Sequence, residues 1–137
     1  MSYSETFIRV SPDTKATAGT VPPEKAGART VAGWQHALLA EHPYQLTERE
    51  LYFRVHCHRH GISDAEAAKQ RETILAEVFA KPQACLRASP LPKSYGWGVH
   101  YDEKGRIALA GVETAAYAKF TKDKALKQLD AMRSKRA

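Results

Sequence analysis

The sequence predicts an α+β fold, a small and mostly antiparallel sheet with a central β-hairpin at about residues 97–111, packed mostly on one face by four or five helices. Three observations carry this. Trp97, Val99 and Tyr101, and then Ile107 and Leu109, alternate with smaller residues at period two, the signature of half-buried strands. Two capping boxes, Thr47 with Glu50 and Ser63 with Glu66, open helices. Finally, 137 residues with 43% hydrophobic and 26% charged content suit one globular domain that buries a core without disulfides or a structural metal.

Taken in order, residues 6–10 (TFIRV) read as a short strand. Residues 11–29 carry SPD, AGT and VPPEKAG without apolar periodicity and form a long irregular connection. Thr30 caps a helix to about Glu41, with Val31, Trp34 and Leu38 on one side. Its end is set by His42 before Pro43, because the residue preceding proline is pushed out of the α region. The Thr47 box opens a second helix, and Gly61 followed by Ile62 predicts a Schellman stop with Cys57 as hydrophobic partner. Leu51, Phe53, Val55 and Cys57 also alternate, so residues 48–60 have a strand as the rival reading. Two cap signals favour the helix. The Ser63 box predicts one helix to about Ala80, with Ile74, Leu75, Val78 and Phe79 inward and Pro82 as its stop. Residues 85–88 offer a short strand, and residues 113–120 and 123–132 read as helices, the last with Leu126, Leu129 and Met132 as its stripe.

The hairpin register follows from its turn. A three-residue loop, Glu103 to Gly105, sets Tyr101 opposite Ile107 and Val99 opposite Leu109, so the large apolar groups share a face, with Gly105 at positive φ. A four-residue loop would mix the faces. The second face then holds His100 beside Gly98, Ala108 and Ala110. Small residues there leave room for a ligand or for a closely packed helix, and the helix is the reading favoured here.

The charge of +6 is uneven: from Lys119 onward there are seven bases and two acids, so the basic C-terminal helix and tail at about residues 119–137 hold five of the six net charges. Such a segment can attract nucleic acid or an anionic partner. No aromatics alternate with the bases as a stacking platform would need, which favours a solvated helix. No apolar run reaches membrane-spanning length, and the N-terminus lacks the plan of a signal peptide. With Cys57 and Cys85 as its two cysteines and no disulfide framework, the expected compartment is the cytoplasm.

Three constellations could carry chemistry. His56 and His60 lie one helical turn apart, a metal-chelating spacing, but they lack the glutamate of HExxH and an obvious third ligand. The competing reading is a solvated helix end, so no metal and no cofactor are expected. Cys85 could be a nucleophile with His100 as base and Arg87 and Lys93 as neighbouring cations, against the commoner inert buried thiol. Arg87, Ser89, Lys93, Tyr95 and Trp97 bracket Pro90 and Pro92, which stiffen the backbone between them. With His100 they could line a pocket for a small anionic ligand.

The phrases FAKPQACLRASPLPKSYGWGVHYDEKGRIAL and AMRSKRA, with ETFIRVSPDTKATAG and VPPEKAG nearer the N-terminus, resemble an uncharacterised bacterial family of unknown function. The likeness spans essentially the whole chain. It implies a single domain and a bacterial cytosolic origin, and it brings no catalytic residues to carry over. Three classes of function follow as expectations. The first is a non-enzymatic module binding a small anion around Arg87, Lys93 and His100. The second is a small enzyme using Cys85 with His100, or a metal at His56 and His60. The third is a protein- or nucleic-acid-interaction adaptor using the basic C-terminus.

Overall fold

The computed structural model describes residues 3–133. Four strands, β1 (Thr6–Arg9), β2 (Trp97–Tyr101), β3 (Ile107–Gly111) and β4 (Lys127–Asp130), form one sheet in the order β3-β2-β1-β4. Among the described residues six α-helices accompany it: α1 (Val31–Glu41), α2 (Glu48–Arg59), α3 (Asp64–Lys69), α4 (Arg71–Val78), α5 (Pro90–Ser94) and α6 (Ala115–Lys122). The fold is α+β. The hairpin has the register its turn dictates, with Tyr101 opposite Ile107, Val99 opposite Leu109 and Gly105 at φ 77°.

The sheet is mixed rather than mostly antiparallel. The segment expected to be a helix over residues 123–132 instead supplies β4, which pairs parallel with β1. Leu129 and Ala131 join the core beside Ile8 while Gln128 turns to the opposite face and donates to the Phe120 carbonyl. Helical spacing of Leu126, Leu129 and Met132 was the wrong period, because alternation at 129 and 131 meets an open strand edge. Residues 134–137, including Lys135 and Arg136 of the basic tail, lie outside the described residues.

Two other expectations change. The helix from Ser63 breaks at Gln70 (φ −106°, ψ 21°) into α3, which buries nothing, and α4, which turns Ile74, Leu75 and Val78 inward. Residues 86–88 form a 3-10 turn rather than a strand, with Leu86 fully buried.

α2 is a helix capped by Thr47, and its alternating apolar residues have a physical cause. Leu51 and Val55 face the sheet and α1, whereas Phe53 and Cys57 face α4. Residues two apart on a helix point to nearly opposite sides, so burial on two sides writes a strand-like pattern. The Schellman stop is present: the Ile62 N–H donates to the Cys57 carbonyl at 2.9 Å, with Gly61 at φ 64°.

One sheet face, carrying Ile8, Val99, Tyr101 and Ile107, packs on α1, α2 and the Leu86 turn. The other carries Phe7, Gly98 and His100 and is covered by α6. A Cβ on Gly98 would meet Phe7 at 2.5 Å and Tyr117 at 2.7 Å, so the room beside His100 is filled by an aromatic cluster. Residues 11–29 hold no helix and no sheet strand, and they cross the start of the hairpin. They are held there by the Trp97 indole N–H on the Thr20 carbonyl and the Thr20 N–H on the Tyr95 carbonyl.

Candidate functional site

A cleft of about 590 Å³ opens where α1, α2, the end of α4 and the start of α5 fail to close against the segment joining α4 to the Leu86 turn. Along α2, Tyr52, Val55, His56 and Arg59 recur at three- and four-residue steps and form one wall. α1 contributes Val31 and Gln35, and the 80s segment contributes Lys81, Gln83, Ala84 and Cys85.

That segment lacks regular structure, yet it is pinned. Gln83 Nε2 donates to the Val78 carbonyl at 2.7 Å, and the Tyr52 hydroxyl donates to the Ala84 carbonyl. The Tyr3 hydroxyl lies 3.4 Å from Cys85 Sγ, a bond that raises the tyrosine's pKa. The Leu86 N–H and the Tyr101 hydroxyl both donate to Glu48 Oε1, at 3.1 and 2.7 Å. Burial pushes the Glu48 carboxyl above the usual carboxylate range, and these two bonds pull against that shift. Four bonds, to α2, to α4 and to Tyr3 ahead of β1, therefore fix a wall that sequence patterning alone leaves undefined.

The mouth is cationic. Arg59 and Lys81 are exposed beside the single carboxylate Glu77, and among the described residues neither base has a hydrogen-bond or ion-pair partner. His56 lines the same wall, and burial lowers its pKa, with His60 contributing. Its imidazole is therefore mostly neutral near pH 7. At the floor, Ser89 donates to Gln35 Oε1 at 2.9 Å while accepting the Leu91 N–H.

The structure regroups the sequence candidates. Cys85, Ser89 and His56, read from three separate constellations, line this one cleft. Arg87 does not join them: its Nε donates to the carbonyl of Asp130, the last residue of β4, at 2.8 Å. His100 lies across the sheet, stacked on Phe120 at 4.2 Å, with Nδ1 2.7 Å from the Tyr44 hydroxyl and its pKa lowered by burial. Arg87 and Cys85 thus face away from His100. Lys93 sits on α5, Tyr95 caps that helix, and Trp97 packs on His36 at 5.0 Å and holds the 11–29 connection. The His56 and His60 rings lie 4.3 Å apart, and among the described residues no group of three or more His, Cys, Asp or Glu is placed to hold a metal ion.

Sequence reading missed Gln35, Arg59, Lys81 and Glu77. Arg59 had a signal: Tyr52, His56 and Arg59 recur at helical spacing on α2 and flank the buried Val55. The Gln35–Ser89 bond spans 54 residues and has no local signature.

By architecture this is an α+β protein with a helical layer on one side of a mixed four-stranded sheet and a cleft within that layer. The chain belongs to the family of unknown function DUF6157, whose model matches residues 1–137. No curated protein and no solved structure matches it. Among the described residues no helix is long and apolar enough to cross a membrane.

Proposed function

We propose that this chain is a binding module for a small anionic molecule seated in the cleft between α1, α2 and the 80s segment. The observation that carries the reading is the juxtaposition of Arg59 and Lys81, unpaired among the described residues, with apolar walls supplied by Val31, Val55, Val78 and Ala88. Pockets of this size with apolar walls and a few polar groups are the usual form of a ligand site. The anionic ligand first expected around Arg87, Lys93 and His100 is thereby moved. Arg87 already serves the Asp130 carbonyl, and His100 is enclosed by Tyr44 and Phe120.

The test is a thermal-shift screen of carboxylated and phosphorylated metabolites on the wild type, the Arg59→Ala/Lys81→Ala double variant and Arg87→Ala. A ligand whose shift vanishes in the double variant and persists in Arg87→Ala supports the cleft. The reverse pattern restores the Arg87-centred site.

A second reading is thiol chemistry at Cys85, favoured by its place in the same cleft as His56. The partner ring would then be His56 rather than His100. Rapid, saturable alkylation of Cys85 that slows in His56→Ala would promote it, whereas labelling at the rate of an ordinary exposed thiol would set it aside.

A further inference from the structure

The cleft contains a donor with no partner. Gln35 is only 6% exposed, and its Oε1 is occupied by the Ser89 hydroxyl. The orientation of the amide is fixed by Ser89, whose Oγ accepts the Leu91 N–H, so its own proton needs an acceptor and takes Oε1. Nε2 is left toward the cleft, without a hydrogen bond to any described residue. Nε2 is not itself among the buried atoms left without a partner, so solvent in the cleft reaches it, and a ligand that displaces that solvent without offering an acceptor leaves it unpaired at a cost. Gln35 and Ser89 are buried while Arg59 and Lys81 are exposed, so the donor lies deep and the cations lie at the mouth.

We propose that Gln35 is the specificity-determining donor of this site, selecting small anions that carry a carbonyl-type acceptor separated from the anionic group by a short apolar stretch. The proposal rests on the reading of the cleft as a ligand site. Oxo-carboxylates are the simplest members of the class. The carboxylate would pair with Arg59 and Lys81 at the mouth, the methylenes would lie against Val55 and Ala88, and the carbonyl oxygen would accept from Gln35 Nε2.

The experiment compares straight-chain alkanoates of roughly six to nine carbons, a size suited to such a pocket, with their analogues bearing one keto group near the far end. Binding is measured by calorimetry. In the wild type the best keto analogue should bind about tenfold tighter than its parent acid, the scale of one well-made hydrogen bond. In Gln35→Glu one carboxylate oxygen still accepts from Ser89 and the other replaces the amide nitrogen, so the keto preference should vanish or invert. A Gln35→Leu/Ser89→Ala double variant removes the pair together and should bind both acids alike. Equal affinities in the wild type, or a preference that survives Gln35→Glu, overturns the role of Gln35 while leaving the cleft in place if Arg59→Ala still abolishes binding. If neither series binds the wild type, both the role of Gln35 and the oxo-carboxylate class fall. The thermal-shift screen then decides the cleft reading separately.

Discussion

On the face of the sheet that carries Ile8, Val99, Tyr101 and Ile107, several elements converge from distant parts of the chain, and the buried side chains are mostly large and aliphatic. On the opposite face one strand pair presents Gly98, Ala108 and Ala110, and a single helix lays Tyr117 and Phe120 onto Phe7 and His100. The first face leaves an open cleft in its helical layer; the second, where the small residues favoured a closely packed helix over a ligand, is closed by α6. The difference teaches that small residues on a strand record close approach by a neighbour, whereas a cleft arises where helices of mismatched length and direction do not meet. Space in a sequence pattern is not space in the fold.

The largest effects should come from the aliphatic face. Leu51→Ala and Leu86→Ala remove fully buried side chains where several elements meet, and each should cost about 2–5 kcal/mol in urea denaturation. Gly98→Ala tests the aromatic face. The added methyl would stand 2.5 Å from Phe7 and 2.7 Å from Tyr117, and should cost about 1–3 kcal/mol through forced repacking. A neutral Gly98→Ala would mean that face is loosely closed, and the contrast would collapse. Gly105→Val strains the turn that sets the register for both faces and should cost roughly 1 kcal/mol or more.

Two glutamates on α2 sharpen the comparison by titration. Glu48 faces the sheet, and burial raises its pKa above the ordinary 4.5. The folded state therefore holds the extra proton, and stability falls as pH rises through the window above 4.5. Glu50 faces α4, where a bond from Arg71 Nη2 at 2.7 Å lowers its pKa. Its contribution is present above 4.5 and is lost as pH falls below. Relative to wild type, Glu48→Gln should gain stability from pH 4 to pH 7 and Glu50→Gln should lose it. Like signs for the two variants would contradict the assignment. Smallest of all, Arg59→Ala should change stability by less than about 0.5 kcal/mol, because the side chain is exposed at the cleft mouth without a partner among the described residues.

The local parts of this fold were legible. Cap chemistry at Thr30, Thr47 and Ser63, the stop at Gly61 and the turn at Gly105 all act over a few residues, and each stands where its pattern put it. Non-local decisions were not legible. β4 is a strand because β1 offers it an edge some 120 residues away in sequence, a fact absent from residues 123–132 themselves. The helix from Ser63 breaks where it must turn to meet α2, and nothing in its own periodicity announces that partner. The cleft was legible as members and not as a set: Cys85, Ser89 and His56 were each singled out, but the Tyr3, Tyr52 and Glu48 contacts that fix the 80s segment join residues across the chain.

The two-sided burial of α2 also gives the molecule a clock. Cys57 is 6% exposed and held between α2 and α4, while Cys85 stands partly exposed in the cleft. α3 has no fully buried residue, whereas α4 packs Ile74, Leu75 and Val78 against Phe53 and Cys57, so Cys57 is uncovered only when α4 lifts from α2. Under a thiol reagent the two sulfurs would then report on different times: Cys85 on simple access, and Cys57 on how often one flank of the protein lifts and settles again.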